Sequence, residues 1–203
     1  MAKFEWIYDP SGRLKPDYDT PVMETENFVA LPSLGSLVKG WLVIVPRRRM
    51  PNLSMLQGAE RRDLERLIQR LVPKLQVLND NLYLFEHGGA SDSLLNCGVD
   101  QAHLHITPLN FNLFELATSE PDVNWHLIPS SRGLIPAEPA EEYLAVQDLA
   151  TGQAAYGLPA SPQSQWFRRL IARQLNVDTW DYKKYPSTQT MLRTLSIFGR
   201  DNA

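Results

Sequence analysis

Two of the four histidines in this chain, His103 and His105, stand one residue apart in the stretch "CGVDQAHLHITPLN", residues 97–110. On a β-strand, side chains alternate between faces with period two. Gln101, His103, His105 and Thr107 then share one face, and Ala102, Leu104, Ile106 and Pro108 share the other. Residues i and i+2 lie about 6.5 Å apart along a strand, a gap that admits a tetrahedral phosphate. Three chemistries fit this spacing. One imidazole could attack phosphorus while the other binds or protonates the attacked group, because neutral histidine is a ready nucleophile near pH 7. The pair could instead ligate zinc or another transition metal, with His87, Glu86 or His126 as third ligand. Or both rings simply satisfy hydrogen bonds in a half-buried sheet.

The elements that would position the pair follow from periodicity. "NFVALPSLG" and "GWLVIVP" read as two strands around a turn, the second a continuous apolar run and hence central. Pro46 and the basic triplet Arg47, Arg48 and Arg49 follow, either a solvated surface or a phosphate contact at a strand end. From Asn52 to Leu78, leucines recur at spacings of three and four, giving a helix that Pro73 should kink or divide. "NLYLFEHGG" is a short strand ending at His87 and two glycines. Residues 110–140, rich in Pro and Asn, read as irregular. "EEYLAVQDLATGQAAYGLP" reads as a hairpin turning at Thr151-Gly152, and "SPQSQWFRRLIARQL" as a helix with Ser161 or Ser164 as N-cap. The result is an α+β fold with a mostly antiparallel sheet and a long helix on one face.

Totals narrow the function classes. A length of 203 residues, with 43% hydrophobic and 21% charged, suits a globular core. A net charge of −3 argues against nucleic-acid binding over the whole surface. A single cysteine excludes an internal disulfide and a cysteine zinc cluster, and fits a reducing, cytoplasmic compartment. No secretory signal is expected from "MAKFEWIYDP", and no apolar run approaches the ~20 residues of a membrane span.

The motif "GVDQAHLHITP", with "GWLVIVPRRR" some way upstream, resembles the histidine triad (HIT) superfamily of nucleotide hydrolases and transferases, and "NFVALPSLGSLVKGWL" and "SQWFRRLIA" resemble a longer bacterial branch of it with a C-terminal extension. The family pattern is His-φ-His-φ-His-φ-φ, with φ apolar. Registered on Pro108, Gln101 takes the first position, His103 the middle and His105 the third. A second register, matching His103-Leu104-His105-Ile106-Thr107 to a His-x-His-x-Gln variant, would put His105 in the middle; Pro108 and Gly98-Val99 favour the first.

The resemblance implies a core of about five strands over residues 28–110, an N-terminal arm over 1–27 and an extension over 111–203 packed on the core. It implies that His103 attacks an α-phosphate and forms a nucleotidyl-histidine, and that His105 donates to the phosphate or the leaving oxygen. Gln101 would hydrogen-bond without titrating. Backbone groups around Asn96, Cys97 and Gly98 would hold nonbridging oxygens, with His87 facing the ligand. Ser33 falls near the usual ribose-binding acidic position, and Leu31 would line a base pocket. Trp41 and Arg49 stand where many relatives have histidine. Ser164, Gln165 and Arg168, at a helix start, are candidates for phosphate. No cofactor is required, a divalent cation entering with the substrate is compatible, and so is a homodimer. The expected ligand is a nucleotide or dinucleotide carrying a phosphoanhydride or phosphoramidate. Two other readings stand beside this one: a nucleotide sensor with weakened catalysis, and a histidine-ligated metalloenzyme.

Overall fold

A computed structural model describes residues 4–9, 19–89, 101–129, 142–161 and 163–199. Within these residues, eight strands form one sheet in the order β1-β2-β3-β5-β4-β7-β8-β6, every neighbouring pair antiparallel. The strands are β1 (Met23–Glu24), β2 (Phe28–Pro32), β3 (Leu42–Pro46), β4 (Leu82–Gly89), β5 (Leu104–Pro108), β6 (Val123–Ile128), β7 (Glu142–Asp148) and β8 (Ala154–Pro159). The expectation of an α+β antiparallel fold holds, with eight strands in place of about five. The three strands after residue 110 extend the same sheet.

Alternation sorts each strand between two layers. Phe28, Ala30, Leu42, Ile44, Leu82, Leu84, Leu104 and Ile106 face α1 (Gly58–Gln76), whose Leu64, Leu67, Leu71 and Leu75 are buried against them. Burying each such leucine contributes about 2 kcal/mol. Residues 52–57 are not part of this helix: a short 3₁₀ turn, Leu53–Met55, precedes it, and the Glu60 carboxylate accepts from the Gln57 N–H at 2.7 Å to fix the helix start. Nor does Pro73 divide α1. Both Pro73 and Gln69, whose carbonyl the missing proline N–H leaves without its helical donor, are solvent-exposed, so water can take that acceptor.

The opposite face carries Trp41, Tyr83, Phe85, Leu144 and Val146, covered by α2 (Leu113–Thr118) and α3 (Trp166–Leu175). Residues 110–140 were expected to be irregular, yet they contain α2 and β6. Asn112 caps α2 by accepting from the Glu115 N–H at 3.0 Å. The N-cap of α3 is Gln165, in the left-handed region at φ 59°, and neither Ser161 nor Ser164. The Gln165 side chain instead donates to Asp181 at 3.0 Å, so a tertiary contact sets where this helix begins. A final helix, α4 (Thr188–Ile197), packs Leu195 into the α1 side of the core. No helix among the described residues is long and apolar enough to cross a membrane.

Candidate active site

The histidine strand lies inside the sheet, β5 pairing with β3 on one side and β4 on the other. The registers Leu31↔Val43, Val43↔His105 and Phe85↔His105 set Leu31, Val43, His105 and Phe85 in one row across four strands, all on the face away from α1. Leu31 is thus two strand spacings, roughly 10 Å, from His105. Extending the β4–β5 register by two residues sets His87 opposite His103. Alternation alone therefore brings His87, His103, His105 and Leu31 to one face.

The two imidazoles are held in different ways. His103 Nδ1 lies 2.8 Å from the Gln101 carbonyl oxygen. A carbonyl only accepts, so Nδ1 carries the proton and Nε2 of the neutral ring keeps its lone pair. His105 Nδ1 instead accepts from the Trp41 indole N–H at 2.9 Å. Indole only donates, so this ring carries its proton on Nε2. The pair holds one lone pair and one N–H at its two Nε2 atoms. Their ring centroids are 5.0 Å apart at 76°, and His105 stacks on Phe85 at 4.6 Å and 18°. Both residues are buried, at 8% exposure each.

Gln101 enters through its backbone carbonyl, while its side chain donates to the Arg48 carbonyl at 3.4 Å. The His87 ring pairs with Glu142 through Nε2 at 2.6 Å. Leu31 packs with Val29, Val43 and Val45 under Phe4, whose ring lies 6.1 Å from that of His103. The apolar surface beside the histidines is thus covered by the chain's own N-terminal segment. Ser33 is fully buried and its hydroxyl accepts from Arg168 at 2.7 Å. Gln165 is held by Asp181, and the neighbouring Ser164 carbonyl accepts from Arg169. Asn96, Cys97 and Gly98 lie outside the described residues.

Each arginine of the basic triplet meets a carboxylate: Arg47 pairs with Glu24, Arg48 with Glu60 and Arg49 with Glu5. His126 stacks on Tyr156 and sits on β6, four strand spacings or roughly 19 Å from β5, out of reach as a third metal ligand. Among the described residues no three His, Cys, Asp or Glu side chains group as a metal site requires.

One acidic group lies behind the pair that sequence reasoning raised only as a metal ligand. Glu86, on the α1 side of β4, accepts from the Tyr143 hydroxyl at 2.6 Å and from the Leu53 N–H at 2.8 Å. Burial pushes its pKa up to about 7, against the opposing pull of these two donors and of His103 and His87. The folded chain holds this proton more tightly than the unfolded chain, where the value is near 4.5. The resulting stabilisation is complete below pH 4.5 and lost as pH rises through about 7, a change on the order of 3 kcal/mol. Urea unfolding at pH 5 and pH 8 should show this loss in the wild type and a flatter response in Glu86→Gln. Equal slopes in the two proteins would exclude Glu86 as the source.

Fold and site together define an α+β protein with a paired-histidine strand inside one antiparallel sheet. Among solved structures, the chain is similar to a HIT-like protein (19% identity, covering 54% of this chain and 100% of that one, TM-score 0.43). It is also similar to a HIT-like protein involved in cell-cycle regulation from Bartonella henselae (16%, covering 44% and 69%, TM-score 0.38). A DUF4931 family protein from Bacillus cereus matches over more of the chain (11%, covering 81% and 99%, TM-score 0.43). No protein-family model and no curated protein matches the sequence.

Proposed function

We propose that this protein is a nucleotide hydrolase or nucleotidyltransferase of the histidine triad type. The observation that carries this reading is the complementary protonation of the pair, a lone pair on His103 Nε2 and an N–H on His105 Nε2. The His103 lone pair attacks an α-phosphorus and the bond to the leaving group breaks: in a phosphoanhydride the bonding pair departs on the bridging oxygen, and in a phosphoramidate it departs on the nitrogen, which takes a proton from solvent and leaves as an amine. The His105 N–H donates to an oxygen of the phosphoryl group as negative charge builds there. Water or another acceptor then takes the nucleotidyl group from His103. The substrate class is a phosphoanhydride or phosphoramidate of a nucleoside monophosphate.

Incubation with diadenosine polyphosphates and with adenosine phosphoramidate, followed by rapid quench and mass spectrometry, tests the reading. A nucleoside monophosphate adduct on the peptide containing His103 is the expected result. A nucleotide that binds wild type and His103→Ala equally, with no adduct, would overturn it and make the protein a binding module.

A further inference from the structure

We propose that Arg168, on α3, is a positioning residue for the histidine pair, acting through Trp41. The catalytic consequence rests on the function proposed above; the structural consequence does not. Trp41 is fully buried, and its ring meets that of His105 edge-on at 5.7 Å while its N–H bonds Nδ1. A histidine without such a donor distributes its proton between both ring nitrogens, so the bond is only as selective as the indole is well placed.

Arg168 supplies that placement. Its guanidinium lies over the indole at 4.7 Å and over the Tyr182 ring at 5.3 Å, attracted to the faces of both. Its N–H groups reach the Ser33 hydroxyl at 2.7 Å, the Leu34 carbonyl at 2.8 Å and the Gly35 carbonyl at 2.5 Å. These three residues begin the turn that leads into Trp41. Residues from beyond α3 hold the same turn at two further points. The Gly35 N–H donates to the Pro186 carbonyl at 2.6 Å, and the Gly40 N–H donates to the Thr194 hydroxyl at 2.9 Å. Gly35 has φ +67°, and a Cβ there would come 2.7 Å from the Tyr182 Cα, so the close fit excludes any side chain. The planar fork of arginine suits this arrangement of several acceptors between two rings, and the point charge of lysine does not.

The test uses the full chain with ¹⁵N-labelled histidine and tryptophan. In the wild type, long-range imidazole spectra should show His105 Nδ1 unprotonated and coupled across the hydrogen bond to the Trp41 indole nitrogen. Protonated Nδ1 in the wild type would overturn the proposal without any variant. Arg168→Met keeps an apolar stem of similar reach and removes the cation and its donors. It should weaken that coupling, bring the two His105 nitrogens toward equal protonation and slow adduct formation roughly tenfold. Arg168→Lys provides the milder comparison if Arg168→Met does not fold, and should give a smaller change in the same direction. A His105 spectrum unchanged in the folded variants would overturn the proposal. The expected spectra together with no adduct in any variant would retire the enzymatic reading and leave the positioning role standing.

Discussion

Replacing His103 by alanine is expected to eliminate the nucleotidyl adduct and lower turnover by 10³-fold or more, at least about 4 kcal/mol in the barrier. The size follows from removing the attacking atom itself, since a covalent route without its nucleophile retains only what positioning and oriented donors supply. His105→Ala should cost less, on the order of 10²-fold, because it removes one donor to the developing charge. Gln101→Ala is expected to stay within about threefold of wild type, because the group that orients His103 is the residue 101 carbonyl, which every amino acid has. Steady-state and single-turnover rates on one substrate check all three. A large loss in Gln101→Ala would instead place its side chain in the chemistry, and an active His103→Ala would end the covalent mechanism.

Gly88→Ala is expected to destabilise the fold by about 4 kcal/mol, combining an overpacked core with a broken buried hydrogen bond. A Cβ at residue 88 would overlap sterically with Tyr143 Cζ and Cε1 and come 2.7 Å from its hydroxyl oxygen. That ring crosses the strand there, at the register Gly88↔Tyr143, to bond the Glu86 carboxylate. The ring must leave for the methyl to enter, and Glu86 then loses a donor inside the core. For a chain of this length the loss corresponds to a midpoint lowered by roughly 10 °C. A double-mutant cycle identifies the cause: in a Tyr143→Ala background the same Gly88→Ala change should cost under about 1 kcal/mol. An undiminished cost there would mean the glycine serves some other purpose.

What the sequence discloses depends on how local the deciding contact is. The leucine spacing of α1, the apolar run of β3 and the alternation through His103 and His105 are short-range patterns, and the structure keeps each of them. So does the hairpin of β7 and β8. β6 escaped because it is an edge strand, with Asn124 and Leu127 exposed, so its alternation is diluted in a segment rich in proline and asparagine. α2 has six residues, too few for a helical period to register. The start of α3 depends on the Gln165–Asp181 bond, 16 residues apart, and no local capping rule could anticipate it. The same distinction applies to the site. Alternation puts His87, His103 and His105 on one face, but nothing near His105 announces that its tautomer is set by an indole 64 residues away. The Glu86–Tyr143 bond, spanning 57 residues, is equally silent in the sequence. Ser33 and Arg168, read separately as ligand contacts, are found bonded to each other across 135 residues.

The fastening of the turn before Trp41 bears on how the protein is made. Two of its ties close loops of 133 residues, from Gly35 to Arg168, and 154 residues, from Gly40 to Thr194. A chain emerging from the ribosome exposes its histidine strand long before either tether has been translated. Closing such long loops is entropically costly and comes late in assembly. The hold on Trp41 therefore waits until α3 and α4 have left the exit tunnel, and a copy terminated before them would carry both histidines without the parts that aim them.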